Sequence, residues 1–344
     1  MYEAREQDEI LKELQTNTGG DVSKFEGTFE YDVLASNSIE FSKQEIEREQ
    51  MYKAAFARTS WGKYLDYRAE EHGIFRRIAV RALSTVTVTG TGVINQGSLF
   101  GTVSGILFHA LKTTVVNGSA SVDVEAEVAG AAGNVAAGTI TSIPMSIPGI
   151  SGVTNPAAAY DGFDEEDDAS LYNRLIFKVR QPATSGNVNH YMEWCLGISG
   201  VGKVVVKPLW AGNGTVKVII IDSNGDPASD HLLQQVRDYL AIQAPIGATV
   251  TVVAPTILVL TIALTPTKGK GDIEGIKSVL TAYFTSSEYD GTKISYAKIG
   301  EVILKNQDVT KVNDYDDLTI NGQNDNIPVT DEQIPQVTEV VLHG

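Results

Sequence analysis

The densest set of chemically able side chains is the run Asp161-Gly162-Phe163-Asp164-Glu165-Glu166-Asp167-Asp168. Two carboxylates flanking a glycosidic bond can act as acid and base, so the run offers a route to a hydrolase. Consecutive acids at a helix start have a simpler use. Asp164 is placed to cap free backbone N–H groups, and Glu165 to Asp168 fall at the positive end of the helix dipole. Arg174, six residues after Asp168, is placed to pair with an acid from a neighbouring element. The structural use is preferred.

The remaining candidates fail on spacing. Cys195 as a nucleophile would take His190 as its base, but five residues along a helix separate the two side chains by about 140°. Cys195 also shares a helical face with Val188, Tyr191, Met192 and Leu196, where a free thiol behaves as a small hydrophobe. The five histidines are scattered, without the spacing of a zinc site. Gly90-x-Gly92 followed by Gly97 lacks the third glycine of a phosphate loop and is followed by strands, so it reads as turns. Asp222-x-Asn224-x-Asp226 opens like a calcium loop. Pro227 then stands where that loop needs glycine and Leu233 where it needs glutamate, which leaves a turn before a helix. No catalytic or metal-binding residue is assigned, and no cofactor is expected.

The elements around these residues fall into an α+β, multidomain pattern. Residues 1–83 read as a helical arm. Ile10, Leu11 and Leu14 give a short apolar stripe, and Ile39 to Arg58 reads as a long charged helix with Ile46, Ala54, Ala55 and Phe56 as its apolar contacts. A stripe that thin suits either a helix awaiting a partner helix or a solvated helix on its own domain. A third helix, Trp61 to Glu71, ends where Gly73 can take the left-handed conformation.

Residues 84–162 read as a Gly-rich antiparallel β domain. Thr85 to Thr89 and Ser121 to Val128 alternate at period two with one wet face. Turns at Gly90, Gly92, Gly97, Gly101, Gly105 and Gly118 are expected to separate the strands of a small sandwich or barrel. Residues 163–255 and 256–344 read as two α+β units in series. Strands are expected at Val201 to Lys207, Thr215 to Ile221, Ala248 to Val253 and Ile257 to Thr265, and helices after Ser229 and Asp272 as N-caps and at Tyr296 to Lys305.

Composition narrows the partners. The chain has 344 residues, 42% hydrophobic and 20% charged, as in an ordinary folded protein. With 27 basic against 43 acidic residues, a net of −16, and no basic run longer than Arg76-Arg77, neither nucleic acid nor an anionic membrane surface is an expected partner. A single cysteine excludes an internal disulfide framework. The charged N-terminus does not read as a signal peptide, and the longest apolar stretch, Ile257 to Leu264, is too short to span a bilayer. A reducing cytoplasm is the expected site of synthesis.

One block has a more specific pattern. Gly133-Asn134-Val135, Gly138, Ile140, Ile147-Pro148-Gly149-Ile150 and Val153-Thr154-Asn155-Pro156, followed by Gly162, Asp164, Glu166, Asp168, Leu171 and Arg174, resembles the baseplate J-like family of contractile phage tails and related injection machines. Family members usually carry two glycines before the acidic run, and Asp161 stands in place of the first. Tyr64-Leu65-Asp66 and Gly73-Ile74-x-Arg76 resemble the family's helical N-terminal part, and Pro245-x-Gly247-Ala248-x-Val250 its C-terminal part.

The resemblance implies a non-enzymatic wedge protein, assembled in the host cytoplasm and carried in the tail baseplate. Two copies would join a different wedge subunit through N-terminal helices. Six wedges would ring the hub, with contacts to neighbouring wedges and sheath-adjacent proteins, and pass on the trigger for sheath contraction. In that setting Gly133, Asn134, Gly138, Pro148, Gly149, Asn155, Gly162, Asp164, Glu166, Asp168 and Arg174 would form a structural junction between the β domain and the α+β half. Two alternatives stay open, a tail adhesin or fibre and a tail-borne hydrolase using the Asp164–Asp168 carboxylates.

Overall fold

A computed structural model describes every residue except Met1, Asp21, Val22, Pro182, Ser287, Glu288, Asp290 and Gly344. The outer ends of the segments expected at 1–83 and 256–344 thus lie outside the described residues. The chain forms two compact units, residues 1–76 with 166–180, and residues 77–165 with 181–344.

The first unit is helical: α1 (Gln7–Asn17), α2 (Phe29–Ala55), α3 (Gly62–Glu70) and α4 (Asp168–Arg180). The long helix starts ten residues before the expected Ile39, because the Thr28 hydroxyl accepts the Tyr31 N–H and caps it. Its buried positions also differ from those expected. Ser38 and Glu45 are buried, whereas Ile46 and Phe56 are exposed. α1 packs along α2, and Arg5, two residues before α1, binds the buried Glu45. A separate small core of Leu65, Ala69, Ile74, Leu171 and Leu175 joins α3 to α4. Gly73 adopts φ +70°, the left-handed turn expected after α3.

The second unit opens with six strands, β1 (Leu83–Ile94), β2 (Leu99–Thr102), β3 (Leu107–Ala110), β4 (Thr114–Ala126), β5 (Ile140–Ser142) and β6 (Ile150–Thr154). They pair antiparallel in the order β5-β2-β3-β4-β1-β6. The edge strands β5 and β6 approach each other, so the sheet is a nearly closed barrel. Period-two alternation places Val86, Val88, Val122 and Val124 inside with Phe100, Phe108 and Ile140.

Four of the expected turn glycines lie inside strands: Gly90 and Gly92 in β1, Gly101 in β2 and Gly118 in β4. The physical reason at Gly90 and Gly92 is close backbone approach. A Cβ on Gly90 would lie 2.2 Å from the Gly149 carbonyl oxygen, and one on Gly92 would lie 2.3 Å from that of Pro148. β1 and β4 therefore pair without a break from Leu83↔Glu125 to Ile94↔Thr114.

The chain continues through α5 (Val188–Leu196), β7 (Val201–Pro208), β8 (Thr215–Asp222), α6 (Asp230–Gln243) and β9 (Thr249–Val253). β7 and β8 form a hairpin, and α6 carries the chain to β9, parallel to β8. Ser229 caps α6 by accepting the Leu232 N–H at 3.0 Å. The last stretch holds β10 (Thr256–Gly269), α7 (Ile273–Thr285), β11 (Lys293–Ile294), α8 (Tyr296–Lys305), α9 (Gln307–Thr310), β12 (Val312–Ile320), β13 (Ile327–Pro328) and β14 (Gln333–Leu342). Its main sheet has the order β12-β10-β14, with β14 parallel to β10. Asp272 caps α7 through the Gly275 N–H. The apolar faces of α7 and α8 bury Ile276, Leu280, Ile299 and Ile303 with Leu260, Ile262 and Leu264 of β10.

Candidate functional site

The block from Gly130 to Arg174 is divided between the two units, the chain passing from one to the other at Glu165 and Glu166. Its first part closes the barrel. Asn155 is fully buried, and its side-chain oxygen accepts the Ile140 N–H of β5 at 2.8 Å. Its amide donates to the Ala136 and Ala157 carbonyls at 2.9 and 2.8 Å, while its own carbonyl accepts the Gly138 N–H at 2.7 Å. One side chain thus satisfies the backbone of three segments where β5 and β6 leave the seam without a regular ladder.

Asn134 does the same at the barrel's exit. It accepts the Gly162 N–H and donates to the Gly162 carbonyl, both at 2.8 Å. Gly162 must be glycine here, since a Cβ would lie 2.6 Å from the Gly130 carbonyl oxygen and 2.7 Å from Asn134 Oδ1. Gly133 packs against Ala82, and Gly149 at φ +80° turns beside Thr91, whose N–H donates to the Gly149 carbonyl at 2.7 Å. Pro148 precedes that turn, and Gly138 has φ +74° in open surroundings.

Asp164 is not a helix cap. Its Oδ1 accepts the Ala131 N–H at 2.9 Å, tying the exit segment to the loop after β4. The helix begins only at Asp168, and Asp167 takes the capping role by accepting the Ser170 N–H at 2.7 Å. The acidic run is one turn too long for Asp164 to reach the helix it precedes.

In the helical unit the remaining acids act as ties. Glu166 is buried, and Arg174 of α4 grips it through Nε at 2.6 Å and Nη2 at 2.7 Å. Arg174 therefore pairs within its own segment rather than with a neighbouring element, and also donates to the Phe75 carbonyl at 2.7 Å. Asp168 accepts the Gly62 N–H at 3.0 Å and pairs with Arg76 at 2.6 Å. The Gly62 N–H, and then Arg76, hold the Asp168 carboxyl below the usual range. Arg76 further bonds Asp66 at 2.7 Å and the Glu166 carbonyl at 2.6 Å. Arg76 was legible only as part of a resemblance; two of its partners, Glu166 and Asp168, lie 90 and 92 residues away, beyond any local signal.

The other chemical candidates occupy ordinary structural positions. Cys195 is fully buried, and burial pushes its thiol up to about 12. His190 lies against Trp194, with ring centroids 3.9 Å apart. Asp222 closes a turn by accepting the Asn224 and Asp226 N–H groups at 2.9 and 2.8 Å. Among the described residues no group of three His, Cys, Asp or Glu is arranged to hold a metal ion, and no helix is long and apolar enough to cross a membrane.

With that geometry in place, three family models match the chain in succession: the baseplate J-like barrel domain at residues 85–162, the central domain at 183–254 and the C-terminal domain at 259–343. The chain belongs to the baseplate J-like family. It is 30% identical over 99% of both chains to the phage-like element PBSX protein XkdT of Bacillus subtilis. It is also 30% identical to the baseplate protein gp47 of Escherichia phage Mu, over 53% of this chain and 56% of that one. A chain of the anti-feeding prophage baseplate aligns with 96% of this chain and 89% of its own length, at 11% identity and a TM-score of 0.40.

Proposed function

We propose that the chain is a wedge component of a contractile-tail baseplate, a structural part that joins a second wedge subunit and passes the contraction trigger through a six-fold ring. Membership of the baseplate J-like family makes it a component of a phage-tail or tail-like baseplate, and the run of three family matches from residue 85 to 343 carries the reading. The wedge role is supported by α2. Phe29, Val33, Ile39, Phe41, Ile46 and Met51 are all exposed on it, a dispersed apolar surface of the kind a bundle covers from more than one side.

The same reading divides the chain at 1–83, 84–162, 163–255 and 256–344, and makes the Gly133–Arg174 residues a structural junction. The carboxylates there are engaged by Ala131, Arg174, Arg76 and Gly62, which supports a role without catalysis. Two copies per wedge, a different wedge subunit, neighbouring wedges, the hub and sheath-adjacent proteins are the proposed partners. Assembly is placed in the host cytoplasm.

Electron microscopy of particles from cells lacking this chain tests the class. Tails without baseplates are expected. Intact tails that fail only to adsorb would replace the wedge reading with an adhesin, and intact, adsorbing tails that fail to breach the wall would replace it with a hydrolase.

A further inference from the structure

Asp161 is a buried acid with a left-handed backbone, φ +59°, a conformation that favours glycine and is tolerated by Asp and Asn. Its side chain gives the position a second use. Oδ2 accepts the Ser229 hydroxyl at 2.9 Å and faces His231 Nδ1 at 2.8 Å. A carboxylate only accepts, so His231 donates from Nδ1. Ser229 is at the same time the cap of α6, its hydroxyl accepting from Leu232 while donating to Asp161. The residue that ends the barrel is thus fastened to the N-terminus of α6, where the helix dipole favours an anion.

The next two residues deepen the attachment. The Gly162 carbonyl accepts from Asn224 at 3.2 Å. Phe163 enters the core of α5, α6 and β8 with Tyr191, Val218 and Leu232. We propose that Asp161, Ser229 and His231 form a proton-sensitive latch between the barrel and the α5–β9 layer, tightened by protonation and loosened as protons leave.

Three titratable groups act on Asp161: His231 in the first turn of α6, Asp222 at the end of β8 and the preceding Tyr160. Asp230 lies beside His231 in the same turn, and Asp226 faces Asp222 across the turn after β8. Burial, then repulsion from Asp226 and Asp161, pushes Asp222 up to about 7, partly offset by the backbone N–H groups it accepts. A carboxyl raised in the folded state takes up its proton on folding. The stability it contributes is therefore present at low pH and lost as pH rises to about 7. The His231–Asp161 contact is an ion pair only while the imidazole is protonated. Loss of either proton acts in one direction: it weakens the ion pair or adds a like charge beside Asp161.

Hydrogen exchange of the full-length purified protein, read by mass spectrometry for peptides covering 158–163 and 229–236, tests the latch without any assembly partner. After correction for intrinsic rates, protection of these peptides falls about tenfold between pH 6 and pH 8, one decade for one unit of linked protonation. Asp161→Asn keeps an acceptor oxygen and tolerates the backbone, yet flattens at least half of that fall. Asp161→Gly relieves the backbone and flattens it as well. His231→Gln, at a half-exposed side chain, folds as the parent does and removes the histidine's share. A parent profile that does not change with pH, or an Asp161→Asn profile that matches the parent's, overturns the proposal.

Discussion

The barrel and the α1–α2 pair bury opposite kinds of group. The barrel encloses Val86, Val88, Phe100 and Phe108, and its one fully buried amide side chain, Asn155, bonds three backbone groups at the seam, those of Ile140, Ala136 and Ala157. The α1–α2 pair buries Ile10 with Ser38 and Glu45, and leaves Phe29, Phe41 and Met51 in solvent. Arg5 binds Glu45 with its Nε at 3.0 Å and its backbone N–H at 2.9 Å. The first region is complete as it stands. The second holds its buried polar groups in an internal tie and leaves dispersed apolar side chains in solvent, the surface that the proposed wedge contact would cover.

Breaking the complete region should cost most. Asn155→Ala leaves the Ile140 N–H and two carbonyls without their partner in a buried site, and is expected to destabilise the chain by about 4 kcal/mol. Denaturant unfolding measures this, and a loss under about 1 kcal/mol would show that the seam does not depend on the amide. Arg174→Met comes next. It removes both Arg174 hydrogen bonds from Glu166, whose side chain is 1% exposed, at a cost of about 3 kcal/mol. Pairing it with Glu166→Leu should recover most of that loss, because the buried charge is then gone with its partner. A double variant as unstable as Arg174→Met alone would mean that the two side chains do not act as a pair.

These sites also mark what the sequence could disclose. The Ser229 and Asp272 caps and the alternating strands were legible because each rests on residues a few positions apart. Thr28 carried a local signal too, a capping residue followed by Glu30 and Asp32 in the first turn, but the apolar contacts sought from Ile39 onward masked it. Asp164 misled because its partner, Ala131, lies 33 residues upstream. The glycines in β1 answer a chain crossing at Pro148 and Gly149 that no spacing within β1 announces. Asn155, chosen through a resemblance, shows its reason only when β5 and β6 meet. Side-chain ties across 70 and 92 residues, Asp161 to His231 and Arg76 to Asp168, have no periodicity to find.

A smaller effect separates the two regions by pH. Hydrogen bonds from the Arg5 side chain, then its backbone N–H, lower Glu45 to about 2 from 4.5. A lowered carboxyl contributes stability that is present above its unfolded value and lost as pH falls through the folded one. Protection of α1 against hydrogen exchange should therefore hold at pH 5 and fade between about pH 4.5 and 2. Glu45→Gln should abolish that dependence while leaving the barrel strands unchanged. An identical acid profile in the variant would remove Glu45 as the tie.

The smallest expected change in stability is the sharpest test of what the exposed face of α2 is for. Phe29 and Met51 are 79% and 72% exposed, so Phe29→Ser with Met51→Ser should move the unfolding midpoint of the isolated chain by no more than about 0.5 kcal/mol. The same pair should abolish dimerisation or co-purification with a co-expressed wedge subunit at micromolar concentration, because apolar contact area is what such a helix offers a partner. Asn155→Ala, by contrast, should weaken assembly only as far as it unfolds the barrel. If the α2 variants destabilise the isolated chain as much as Asn155→Ala does, α2 is packed within its own chain and the contrast between the two regions fails. If they leave both stability and partner binding intact, the exposed residues are solvated surface, and the wedge contact must be sought elsewhere.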